Sequence, residues 1–149
     1  MTSNIQFSSV LGAEYHEELE KLMFFNPGQE KALPGIYDSI NEYGLPSIVE
    51  EGERLRINVE GLGAAQTLFA LDQQGEKNLL VGVMVFCRIS IETIVLLHIA
   101  VLEEYSWAGK FADEMVVLRL MSKLREIAKR LKGVQNIRLQ YASGLTVPV

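Results

Sequence analysis

Few side chains in this 149-residue sequence are of a type, and in a place, that could do chemistry. His98 stands inside an apolar run over residues 94–102, where an imidazole could act as a general base or a metal ligand. Its only histidine companion, His16, is far away in the sequence, and neither has ligand spacing around it. No metal site is expected, and a core histidine with one hydrogen-bond partner is the plainer reading. Glu92 lies near the start of that run, and Glu103 and Glu104 lie just beyond its end; carboxylates at strand ends are commonly just solvated. Next come Ser106, Trp107, Ala108, Gly109, Lys110, Phe111 and Ala112, which join a strand to a helix. A glycine in such a joint is often there only to let the chain turn. Cys87 is the sole cysteine, so an intramolecular disulfide is impossible, and a buried thiol in a reducing compartment is expected.

The elements that position these residues follow from periodicity. Residues 5–10 predict a short strand. Residues 12–25 predict a helix, with Tyr15, Leu19, Leu22 and Met23 at helical spacing and Glu14, Glu17 and Glu18 in its early turns. Asn26-Pro27-Gly28 reads as a stop and turn. A second helix is expected over 29–43, interrupted at Pro34 and Gly35 and ended by Gly44, with Pro46 shortly after. From residue 53 the period changes: Leu55, Ile57 and Val59 alternate with Arg56 and Asn58 as in a half-buried strand. Strands over 66–72 and 79–89, joined by a hairpin around Gly75, precede another over 91–101. The last two are apolar at successive positions, which requires cover on both faces. The clearest helix spans 112–132, with Val117, Leu120, Leu124, Ile127 and Leu131 facing the core and Gly133 as its cap. A strand over 137–141 ends the series, so the last helix crosses between two locally parallel strands.

Composition bounds the rest. A hydrophobic fraction of 48% and a charged fraction of 22% describe a globular chain of single-domain size, taken as one domain over 1–149. A net charge of −5 and a pI near 5.1 argue against general nucleic-acid binding. No signal-peptide pattern opens the sequence and no apolar run is long enough for a bilayer, so a cytoplasmic protein without a membrane partner is expected.

The stretch over residues 66–139 is similar to the central part of the GNAT superfamily of N-acetyltransferases. The parts are QTLFALDQQGEKNLLVGVMVF, IETIVLLHIAV, LEEYSWAGKFADEM and, after the helix, NIRLQ. The resemblance implies an α/β (α+β) fold: a mixed, mostly antiparallel twisted sheet of five or six strands, flanked by helices. It implies acetyl transfer from acetyl-CoA to a small-molecule or peptide amine. The pantetheine arm would run beside Ile99 and Val101. The pyrophosphate would meet the amides of Trp107, Ala108, Gly109, Lys110, Phe111 and Ala112 at the helix start, with Lys110 supplying charge. The family's loop reads Gln or Arg, two residues, Gly, one residue, then Gly or Ala; here Ser106, Gly109 and Phe111 hold those places. Gly109 is expected to need a backbone conformation that other residues resist. Glu103, Glu104 and His98 are the candidates for taking a proton from the amine. Tyr141 does not match the family's thiolate-protonating tyrosine, which lies on a later helix. Family members continue with another helix and two strands, so an open sheet edge and a homodimer are expected here. The competing reading is a non-catalytic binding or regulatory module on the same frame, and whether the chain is an enzyme stays open.

Overall fold

A computed structural model describes residues 4–26, 33–140 and 145–149. Tyr141 and the Pro27-Gly28 turn lie outside the described residues. The elements in order are β1 (Ile5–Ser8), α1 (His16–Phe24), α2 (Leu33–Tyr43), β2 (Pro46–Glu51), β3 (Arg54–Val59), β4 (Gly63–Ala64), β5 (Gln66–Gln74), β6 (Lys77–Arg88), β7 (Thr93–Val101), α3 (Val116–Arg130), β8 (Asn136–Leu139) and β9 (Leu145–Pro148). The fold is mixed α/β. One sheet has six strands in the order β1-β5-β6-β7-β8-β9, and a second has three in the order β2-β3-β4. Among the described strands only the β7–β8 pair is parallel, the two being joined through α3.

The large sheet is covered on both faces, which is why β6 and β7 are apolar at successive positions. One core joins Leu68, Met84, Phe86, Ile94 and Leu96 to Val116, Leu120, Leu124 and Ala128 of α3. The other joins Phe69, Val83, Val85 and Val95 to Leu19, Leu22 and Met23 of α1 and to Leu55, Ile57 and Val59 of β3. Gly82 lets α3 approach β6 closely: a Cβ there would stand 3.1 Å from Val116 and 3.3 Å from Leu120. Among the described residues no helix is long and apolar enough to cross a membrane.

Four expectations change. Residues 46–51, where the sequence reading places no element, form a strand paired along its whole length with β3. Pro34 and Gly35 fall within the first turn of α2, where a proline's missing N–H costs nothing, so they do not divide it. α3 begins at Val116 rather than at residue 112, because Ala112–Glu114 is a 3-10 turn and Met115 follows in the left-handed region at φ 51°. The buried stripe therefore starts from Val116, while Val117 is 38% exposed. Finally, the sheet edge expected after the strand over 137–141 moves out by one strand, because β9 pairs with β8 and is itself the edge among the described residues. Pro148 removes one donor from the new edge.

The stripe assignment has a direct test by urea denaturation. Leu120→Ala is expected to cost about 2–5 kcal/mol, the range for a buried leucine. Val117→Ala should change stability by no more than about 0.5 kcal/mol, as at an ordinary surface position.

Candidate functional site

The candidate site is built around the point where β7 loses a neighbour. β8 pairs with β7 only from Thr93 to Leu96. From Leu97 to Val101 β7 keeps β6 on one side and has no strand partner on the other among the described residues. The Leu102 amide donates to the Val81 carbonyl (2.9 Å), so by antiparallel alternation His98 and Ala100 bond toward β6. Ile99 and Val101 turn their backbone groups to the open side. The Asn26 side-chain amide takes up part of that edge, donating to the Val101 carbonyl at 2.6 Å. Asn26 is buried, although its local sequence marks it only as a turn residue.

A bulge lies just before this edge. Val85 faces His98 and Phe86 faces Leu96, leaving Leu97 as the extra residue. Leu97 and His98, adjacent in sequence, consequently line the same cavity of about 30 Å³, with Met23, Ile36, Ser39 and Ile40. His98 as a whole is half-buried, but its Nε2 is sealed from solvent and has no hydrogen-bond partner among the described residues. The seal at that atom governs its titration: burial lowers the pKa from the usual 6.5 to about 4. The ring is neutral at pH 7, and the cavity has room for about one water. No carboxylate hydrogen-bonds to it among the described residues. Ile99 and Val101 pack in the other core, on the α3 side of the sheet.

The loop after β7 folds on itself. Glu103–Tyr105 is a 3-10 turn, and Glu103 and Glu104 are exposed. The amides of Gly109, Phe111 and Ala112 donate to the carbonyls of Ser106 (2.9 Å), Glu104 (2.6 Å) and Gly109 (3.2 Å). Those of Ala108 and Lys110 have no backbone partner among the described residues. Gly109 is not in the left-handed region. Its requirement is space: a Cβ would meet the Glu103 carbonyl oxygen and lie 2.5 Å from the Glu104 carbonyl carbon. The reason for glycine is close backbone approach rather than conformational freedom. Trp107 is exposed, and Lys110 lies 5.4 Å above the Phe111 ring.

Tyr105 anchors the loop to the sheet and carried no signal in the sequence. Its hydroxyl donates to the Asp72 carboxylate and receives the Gln74 amide at 3.3 Å. Its ring stacks on Phe111 at 4.9 Å. Burial first, and then the hydrogen bond to the Asp72 carboxylate, raise the phenol well above its usual pKa. Phe111 thus packs as the partner of a buried tyrosine. Among the described residues no cluster of His, Cys, Asp or Glu could hold a metal ion.

Comparison with protein-family models, curated proteins and solved structures finds no match to this chain.

Two measurements test this geometry. Gly109→Ala should lower the thermal midpoint and the exchange protection of the Phe111 amide with no ligand present, because the clash is internal to the loop. For His98 the folded pKa lies below the unfolded value. Its contribution to stability is therefore full above pH 6.5 and is lost as pH falls toward about 4. Comparing denaturation midpoints from pH 7 to 4 should show a shallower acid decline in His98→Gln than in the parent.

Proposed function

We propose that the chain is a non-catalytic binding or regulatory module of the cytoplasm, built on a GNAT-like frame. The observation that carries this reading is the chemistry of the loop between β7 and α3. A pyrophosphate needs convergent free donors and little negative charge nearby. Here the amides of Gly109, Phe111 and Ala112 already donate to loop carbonyls. The first turn of α3 begins four residues after Ala112. Glu103, Glu104, Asp113 and Glu114 set four carboxylates against the single cation Lys110 across residues 103–114. Opening the loop for a phosphate would break its internal bonds and bring a dianion into a negative field. Nothing in this reading requires a second copy of the chain.

A second reading, acetyl transfer from acetyl-CoA to a small-molecule or peptide amine, draws support from the open edge at Ile99 and Val101. A pantetheine amide could extend the sheet there, with Glu103, Glu104 or His98 receiving the proton. It would have to displace the Asn26 side chain from the Val101 carbonyl.

Calorimetric titration of the whole chain with CoA and with acetyl-CoA separates the two. The module reading expects no saturable heat at about 1 mM ligand, which corresponds to less than about 4 kcal/mol of binding. Saturable binding of either compound tighter than about 100 µM would favour the transferase.

A further inference from the structure

We propose that the loop between β7 and α3, with the first turn of α3, is a docking surface for a basic amphipathic segment of a partner protein. This deepens the binding-module reading and rests on it. The first observation is apolar exposure. Trp107 is 81% exposed, Leu118 66% and Met115 57%. Tryptophan is on average a highly buried residue, and it is prominent among the residues that dominate binding energy at interfaces.

The second observation is that these side chains are presented by a stiff support. Backbone bonds link Gly109 to Ser106, Ala112 to Gly109, Met115 to Ala112 and Arg119 to Met115. Tyr105 fixes the start of this run to Asp72 on β5. Met115 holds a left-handed conformation that a non-glycine residue rarely adopts, yet its side chain is exposed rather than packed. A pre-ordered aromatic and aliphatic surface loses little entropy when it binds.

The third observation, charge, selects the occupant. Glu103, Glu104 and Asp113 are exposed and form no ion pair among the described residues. Glu114 lies 3.4 Å from Arg119, and Lys110 lies over the Phe111 ring. Apolar side chains among carboxylates fit a segment with Leu or Phe on one face and Lys or Arg beside it. The same field opposes an anionic membrane, nucleic acid and a second copy of this chain, whose net charge is −5.

The test uses the fact that Trp107 is the only tryptophan in the chain, so tryptophan emission excited at the red edge, where the five tyrosines do not absorb, reports on this surface alone. The probe is a synthetic Leu/Lys amphipathic helix of about 18 residues, five turns of helix. Saturable blue-shifted emission that weakens with added salt is the expected result. By calorimetry, Trp107→Ala and Leu118→Ser should each lose about tenfold or more in affinity. Ile91→Ser, at the opposite end of β7, should bind as the parent does. Binding without an emission shift would overturn the proposal, as would equal binding of the Leu/Glu counterpart or no binding at all. A shift produced by phosphatidylglycerol vesicles alone, or by raising protein concentration alone, would assign the surface to a membrane or a second copy and overturn it equally. The CoA titration stands apart: CoA binding removes the module reading, whereas peptide failure without CoA binding removes only this surface.

Discussion

β7 has two strand neighbours as far as Leu96 and one beyond it, and the arrangement of the candidate site follows from that loss. A strand inside a covered sheet cannot leave its amides and carbonyls unpaired without cost, so something must meet the edge at Ile99 and Val101. Asn26 meets part of it with a side-chain amide, and in doing so ties the end of α1 to the middle of the sheet. The bulge at Leu97 comes immediately before the edge opens and turns His98 toward α2 instead of toward the carboxylates at the strand's end. The three residues first considered as proton acceptors are therefore divided between two environments. The His98 Nε2 is sealed under α2, while Glu103 and Glu104 are in solvent.

The joint between β7 and α3 has been shaped by packing. Tyr105 is buried and needs an acceptor for its hydroxyl, which Asp72 provides. Holding Tyr105 down brings the Glu103–Glu104 backbone over residue 109, where only glycine leaves room. The Phe111 ring then closes against Tyr105. Each of these residues satisfies a need created by the one before it, and the result is a compact turn that presents carboxylates and a tryptophan outward. A small residue at 111 would loosen this chain of contacts.

Much of the architecture was legible in the sequence because two-sided burial leaves an unmistakable pattern. The long apolar runs of β6 and β7, the second broken only by His98, fit strands covered on both faces. The helical stripe of α3 was legible too, but its starting point was not. Val116 and Val117 are adjacent and alike, and only the left-handed turn at Met115 decides which faces inward. β2 was hidden by Gly44 and Pro46, whose local preference for a turn says nothing about the strand that follows. The site was less legible than the frame. Glu103, Glu104 and Gly109 were noticed by type, but the contacts that assign their roles link residues far apart in the chain. Asn26 to Val101 and Tyr105 to Asp72 have no local signature.

The pairing of β1 with β5 has a consequence for how the chain acquires its shape. Ile5 faces Asp72 and Ser8 faces Phe69, across the whole of α1, α2 and the small sheet. During synthesis β1 emerges before β5 and has no strand partner until β5 has been made. The β5–β6–β7 meander, joined by local hairpins, can assemble without it. Contacts of such long sequence separation slow folding, since loop closure must precede the reward of pairing. β1 is thus made well before its partner, and until β5 exists its backbone groups can be satisfied only by water or by temporary contacts.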